Sequence, residues 1–277
     1  DTDHKVVILR RFLLLKSFIT LISPMVSAAL LTMADIEIIF FVDVITAAIA
    51  VLILLLFLQI PVHAKASKKQ TVSYFDDMKA GYQYIKNHGF VKRFFIFGTF
   101  FMIFSAPVAF LTPLQVTRSF GDDVWRLTAI EITFSVGMML GGLLMASWGG
   151  FKNRLHTMVL SSIVVGAGTF ALGIIPIFWI YIFFMVIIGV AMPIFNTPAM
   201  VILQQRGEGD YQGRVFSIIS MLASIVMPMA MLIFGPLADI ISIESLLVTT
   251  GILIIILCIF MWKDKVLLEA GRPVQAS

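Results

Sequence analysis

The chain has 277 residues, of which 60% are hydrophobic and 13% charged, and its mean hydropathy is +1.01. A soluble domain carries about a quarter charged residues, so a water-soluble fold is excluded: the surplus apolar surface has only lipid to cover it. The net charge of +4 does not indicate nucleic acid, because neither zinc spacing nor an aromatic-basic RNA-binding motif accompanies it.

A helix needs about 20 apolar residues to cross a hydrocarbon core of ~30 Å, and eight stretches qualify. The first runs from about Phe18 to Met33 and is preceded by the amphipathic VVILRRFLLLK. The second spans Ile36 to Ile60, the third Phe94 to Val116, the fourth Leu127 to Trp148 and the fifth Thr157 to Ile175. The sixth spans Phe178 to Leu203, the seventh Val215 to Ile240 and the eighth Ser245 to Trp262. Each run is about twice the length of a barrel strand and apolar on every face. Only a helix satisfies its own backbone over such a length in lipid. The predicted fold class is therefore all-α, a polytopic membrane helical bundle. The sequence opens DTDHKVV, without Met or a signal-peptide pattern, and is expected to be a fragment or processed product.

The junctions carry a strong charge bias. Of the 20 lysines and arginines, 18 fall on one side, and only Arg118 and Arg126 fall on the other, beside Asp122 and Asp123. Basic residues collect on the cytoplasmic side, which predicts a cell-membrane protein with both ends of this chain in the cytoplasm. In GGLLMASWGGFKNRLHTM, Gly149 and Gly150 let the chain reverse, and Lys152, Asn153 and Arg154 form a tight cytoplasmic turn. The junction from Pro61 to Lys92 is longer. It places Phe75, Met78, Tyr82 and Ile85 at helical spacing, which predicts an amphipathic helix on the inner membrane surface.

Spans three and six echo each other. SAPVAFLTPL contains Pro107 and Thr112-Pro113; AMPIFNTPAM contains Pro193 and Thr197-Pro198. These are the first and fourth spans of a six-span block and cross in opposite directions. Proline-interrupted segments at matching places in inverted halves mark the moving, cavity-lining helices of transporters, so the four prolines are candidate kink or gating positions. Gly137, Gly141 and Gly142, with Ala146 and Gly150, give small-residue spacing for close helix contact along span four.

EITFSVGMMLGGLLMASWGGFKNR, QGRVFS and FGPLAD resemble the carboxyl-terminal half of a major facilitator superfamily transporter, in the branch of macrolide-efflux-type drug exporters. FFVDVITA, Phe40 to Ala47, resembles that branch's sixth helix. The resemblance covers about Leu21 to Trp262 and implies that the eight spans are helices five to twelve of a twelve-helix protein. Residues 1–60 then hold the last two helices of a truncated amino-terminal half, 61–92 a cytoplasmic linker, 93–263 the carboxyl-terminal half and 264–277 a cytoplasmic tail. It also implies a conformational latch in the cytoplasmic loops, at Gly149, Lys152, Arg154, Gly213 and Arg214. The loop lacks the family's usual aspartate, and positive-inside anchoring is the alternative reading of its charges. Four amino-terminal helices of the family pattern are absent, so this chain alone is not expected to perform alternating access.

Intramembrane ionisable groups are few, and each costs about 2.5–3.5 kcal/mol unless it faces a cavity or partner. Glu131 is a candidate proton- or cation-responsive carboxylate at the outer mouth of a cavity, or an interfacial carboxylate reaching headgroup water. Asp43 reads mainly as a helix-packing residue. Asn196, between Pro193 and Pro198, either donates to substrate or satisfies a carbonyl freed by the kink. The span-three phenylalanines Phe100, Phe101, Phe104 and Phe110 are candidate walls of an apolar cavity, and the sequence does not sort them from lipid-facing ones. Cys258 reads as a packing residue. All four histidines fall in cytoplasmic segments, so no intramembrane metal site or cofactor is expected. No G-x-x-x-x-G-K-[ST] phosphate loop occurs, which leaves an ion gradient as the energy source.

The function this implies is secondary export of hydrophobic or amphiphilic small molecules such as drugs, by proton antiport. Its expected partners are the lipid bilayer, the substrate, the coupling ion and the missing amino-terminal helices. A lysophospholipid or siderophore transporter of the same superfamily is the alternative, as is a non-transporting truncated membrane protein. An intramembrane enzyme would need catalytic polar residues clustered at one depth, and the sequence has none.

Overall fold

In hydrocarbon every backbone N–H and C=O must be satisfied within the chain, and among the described residues every regular element is a helix. The computed structural model describes residues 36–57, 88–206 and 209–272, with the side chains of 36–39, 43, 54, 55, 57 and 206–217 outside the description. The first predicted span and the predicted amphipathic helix lie outside the described residues.

The chain divides into two compact units, Asp1–Tyr74 and Phe75–Ser277. The first unit contains α1, Ile36–Phe57, whose 22 residues are apolar apart from Glu37, Asp43 and Thr46 and make a helix about 33 Å long at 1.5 Å per residue. Thr46 Oγ1 donates back to the Val42 carbonyl at 2.9 Å, so its hydroxyl is satisfied on its own helix.

The second unit contains α2 Gly89–Phe110, α3 Thr112–Phe120, α4 Val124–Trp148 and α5 Arg154–Ile174. It continues with α6 Phe178–Arg206, α7 Gly209–Ile240, α8 Ile243–Lys263 and the short α9 Lys265–Ala270. Six segments of this unit are long and apolar enough to cross a membrane, α2 and α3 together forming one of 32 residues. The sequence predicts that span as a single kinked helix from Phe94 to Val116. The structure breaks it at Leu111 (φ −94°, ψ −11°), one residue before the Thr112-Pro113 pair. Pro113 has no N–H to continue the ladder and so sits in the first turn of a new helix. Leu111 N–H still reaches the Pro107 carbonyl at 2.8 Å, and Gln115 N–H reaches the Leu111 carbonyl at 2.8 Å.

α5 is the central element: 67% of its most apolar stretch is buried, against 22% for α4 and 11% for α7. It packs against α6 and α8; α4 packs on α6, and α2 on α7 and α8. Glycine permits the closest of these approaches. A Cβ on Gly137 or Gly141 would overlap the carbonyl of Val186 or Val190 on α6, and one on Gly189 would overlap that of Phe134 on α4. Gly142, expected in the same contact, has nothing within 4 Å; it points about 100° away around the helix from Gly141. A second glycine contact joins α5 to α8: a Cβ on Gly251 would stand 2.6 Å from Phe170 N, and one on Gly173 2.6 Å from Glu244 O.

The end of the bundle carrying Arg93, Lys152, Arg154 and Lys263 is the basic end. One apolar core, with Leu155, Met158, Ile202, Cys258 and Met261, lies toward it. A second, with Val116, Ile130, Leu172, Tyr181 and Leu247, lies toward the opposite end. At the basic end the expected cytoplasmic tail begins as a helix. Asp264 Oδ1 accepts from Val266 N at 2.9 Å and from Leu267 N at 3.2 Å, capping α9. Arg93 Nη1 donates to both Asp264 oxygens, at 2.8 and 2.7 Å, and ties the first turns of α2 to that cap. Burial pushes the Asp264 carboxyl up, but the Arg93 guanidinium and the Leu267 and Val266 N–H groups outweigh it and hold the group below its ordinary range.

Candidate functional site

Three proline-bearing helices, α2, α6 and α7, enclose a cleft of about 220 Å³. On α2, Phe94, Phe97 and Phe101 recur at i, i+3 and i+7, which places them on one helix face. On α6, Phe195, Asn196 and Ala199 line the cleft, and Ile219 and Leu222 close it from α7. Phe101 and Phe195 stack at 4.6 Å with 17° between their planes, and Phe97 lies 6.0 Å from Phe101 and 6.4 Å from Phe195. Such offset pairs contribute about 0.5–1.5 kcal/mol each beyond their buried area. The wall is apolar, with the Asn196 carboxamide and the Thr99 hydroxyl as polar groups at its edge. An apolar pocket with a few fixed polar groups is the arrangement that holds a small amphiphilic molecule.

Of the residues singled out from sequence, Asn196 borders this cleft and is exposed. Phe104 does not: it pairs with Phe100 at 5.9 Å and packs against the core toward the basic end. Phe110 is exposed at the far end of α2 and lines nothing in the cleft. Of the four span-three candidates, Phe101 lines the cleft, and the other aromatic walls are Phe94, Phe97 and Phe195. Glu131 is exposed on α4, and α4 contributes no residue to the cleft, so the structure does not bring the carboxylate to Asn196. The Asp43 side chain lies outside the described residues.

Pro107 is buried within α2, while Pro193 and Pro198 lie inside an uninterrupted α6. The two echoing segments therefore differ: one breaks and the other does not. α7 carries two further prolines, Pro228 and Pro236, that the sequence reading passed over.

The glycine turn has the predicted geometry. Gly149 (φ +73°) and Gly150 (φ +83°) adopt the left-handed conformation that glycine reaches without strain, and Gly149 N–H closes onto the Met145 carbonyl at 2.9 Å. Lys152 is exposed, and Arg154 Nη1 hydrogen-bonds the Gln205 carboxamide oxygen on α6. Asn153, which the sequence treats only as part of the turn, is the residue that organises it. Its Oδ1 accepts from Leu155 N at 3.0 Å, and its Nδ2 donates to the Leu268 carbonyl at 2.9 Å. Arg154 N then donates to the Gly271 carbonyl at 2.9 Å. The turn is thus bound to α9. Gly213 and Arg214, expected in a loop, fall within α7, which begins at Gly209.

The opposite end is joined by buried polar groups. Gln115 Nε2 donates to the Leu172 carbonyl at 3.0 Å, and Tyr181 Oη donates to Gln115 Oε1 at 2.9 Å. Arg118 donates to the Ala238 carbonyl at 3.0 Å and pairs with Asp239 at 3.3 Å, linking α3 to α7.

A bundle of six membrane-length helices with inverted proline segments and a glycine turn at its basic end defines a polytopic helical membrane protein. Residues 12–231 match the Major Facilitator Superfamily profile, and the chain belongs to that family. It is similar to Macrolide efflux protein A of Streptococcus pyogenes, 26% identical over 247 residues, which is 88% of this chain and 61% of the relative. It is also similar to Macrolide efflux protein A of Enterococcus faecalis, 26% identical over 219 residues, 78% of this chain and 68% of the relative. The chain therefore spans about three fifths of the length of the Streptococcus pyogenes protein it matches.

Proposed function

We propose that this chain supplies helices five to twelve of a secondary active exporter that moves macrolides and similar amphiphilic molecules out of the cell by proton antiport. The observation that carries the reading is the aromatic cleft between α2, α6 and α7, apolar except for Asn196 and Thr99 at its edge. The similarity to two macrolide efflux proteins supports the substrate class. In this reading the aromatic wall takes the apolar body of the substrate and Asn196 hydrogen-bonds one of its polar groups. Proline-bearing α2, α6 and α7 are the elements that rearrange, since proline weakens the helical ladder at fixed points. The remaining cavity wall comes from amino-terminal helices of the same protein. Both ends of this chain face the cytoplasm, as the side carrying 18 of its 20 basic residues indicates. Glu131, exposed on α4, is the coupling carboxylate at the outer mouth. The turn at Gly149, Lys152 and Arg154 is the inner latch, held by α9 and continued by Gly213 and Arg214 at the start of α7.

The test is accumulation of a radiolabelled macrolide in susceptible cells expressing the full gene product. Expression is expected to lower accumulation, and a protonophore to restore it. Asn196→Ala is expected to weaken export about 5- to 10-fold, the value of one hydrogen bond of about 1–1.5 kcal/mol. Glu131→Gln is expected to remove the dependence on external pH. Unchanged accumulation on expression would refute the export reading; full pH-driven export by the Glu131→Gln variant would remove Glu131 from the coupling role.

A further inference from the structure

A second groove lies on the outside of the bundle at its basic end, away from the α2–α6–α7 cleft. It has a volume of about 270 Å³ and is lined by Phe151, His156, Val159, Leu160, Ile163 and Trp262. Phe151, Leu160 and Trp262 are exposed, although each is a large apolar group. Trp148 meets Phe151 edge to face at 4.9 Å, and His156 lies 6.3 Å from Trp262. Aromatic residues at a span end mark the headgroup level of the bilayer. On α8 the strip Ile252, Ile256 and Ile259, at i, i+4 and i+7, is also exposed and apolar, so that helix presents a greasy track toward the membrane interior.

Two exposed lysines adjoin the groove's aromatic residues in sequence. Lys152 directly follows Phe151, and Lys263 directly follows Trp262; both are exposed. Their four-carbon stems let an ammonium group reach the headgroup plane while the methylenes lie on apolar surface. The imidazole of His156, exposed at the groove itself, adds a hydrogen-bond donor. Neither lysine has an acidic partner at an adjacent position of its helix or turn except Asp264, which is engaged by Arg93.

From this arrangement we infer that the groove binds one anionic phospholipid of the basic-end leaflet, an acyl chain lying on Phe151, Leu160, Ile163 and Trp262 and the phosphate held by Lys152 and Lys263. The charge complementarity selects an anionic headgroup over a zwitterionic one, and the apolar wall selects a lipid over a free phosphate. The site lies on the turn between α4 and α5 that is hydrogen-bonded to α9, so an occupied groove stabilises that turn. The inference does not depend on the export reading.

The test uses the full gene product in phosphatidylcholine vesicles containing increasing fractions of phosphatidylglycerol brominated on its acyl chains. Bromine quenches nearby indole, and the difference between wild type and Trp262→Phe isolates the Trp262 signal. Half-maximal quenching of Trp262 is expected at a mole fraction about 25-fold lower for brominated phosphatidylglycerol than for brominated phosphatidylcholine, since each of the two basic residues favours an anionic lipid about fivefold. The double variant Lys152→Gln/Lys263→Gln is expected to bring the two curves together. Identical curves for both lipids in the wild-type protein overturn the inference, whatever the variant does. A preference for phosphatidylglycerol that survives in a correctly folded double variant overturns the assigned lysines and with them this site.

Discussion

Gly141→Ala is expected to destabilise the protein by about 1–3 kcal/mol, the range for forcing an added methyl into a filled interface, while Gly142→Ala leaves it unchanged or slightly more stable. The two glycines are adjacent in sequence, yet a Cβ at Gly141 meets the Val190 backbone and one at Gly142 meets nothing within 4 Å. The obstruction is a carbonyl and its Cα rather than the tip of a flexible side chain, so α4 and α6 must move apart. Gly189→Ala is expected to act like Gly141→Ala, because its Cβ would strike the Phe134 carbonyl on the same interface. At Gly142 the only remaining effect is helix propensity, which favours alanine by about 1 kcal/mol in a helix interior. Thermal loss of the monodisperse peak in detergent measures all three. The interface assignment is wrong if Gly141→Ala and Gly142→Ala melt together.

The second large effect is expected at Gln115. Gln115→Leu should cost about 2–3 kcal/mol, because it strands a buried hydroxyl and a buried carbonyl together. Gln115 is 2% exposed and Tyr181 0%, so water does not replace the lost partners. The Leu172 carbonyl belongs to the last turn of α5, where no later N–H of the helix reaches it, and the Gln115 side chain serves as its cap. Tyr181→Phe should cost less, about 1 kcal/mol, since it leaves one Gln115 oxygen lone pair unfilled and removes no carbonyl's donor. In the double variant Gln115→Leu/Tyr181→Phe the cost should be smaller than the sum, because the hydroxyl stranded by the first change is deleted by the second. Strict additivity in the melting measurement would contradict the relay.

Much of this architecture was legible from residue pattern. Five of the span positions, from Leu127 onward, follow from long apolar runs ended by charges, and the structure extends them by no more than about two turns at either end. The glycine turn was legible too, since Gly149-Gly150 followed by Lys152 admits little but a reversal. The break at Leu111 was harder to read: Pro107 and Pro113 both predict weakening, but which of two prolines ends a helix depends on where the following turn is held. The same composition, Pro193 and Pro198, leaves α6 continuous.

The cleft was legible only at its polar edge. Asn196 stands out because a carboxamide inside an apolar helix requires a reason. Phe195 does not stand out, and Phe101 is not separable from Phe100, Phe104 and Phe110, because helices that are apolar on every face have no polarity difference to distinguish cleft from lipid or from core. Asn153 carried a usable signal, a helix N-cap residue just before Arg154, but its second bond to the Leu268 carbonyl joins residues 115 positions apart, and local pattern does not report contacts at that range.

The central claim is that the α2–α6–α7 cleft receives the exported molecule. Photoaffinity labelling of the full gene product in membranes with a photoreactive macrolide, followed by peptide mapping, tests it most directly. The account predicts label on the segments 94–102 and 195–203, competed by unlabelled macrolide and reduced in Phe101→Ala. Competable label confined to other helices, such as the exposed faces of α4 or α8, with residues 94–102 and 195–203 unlabelled, would contradict it.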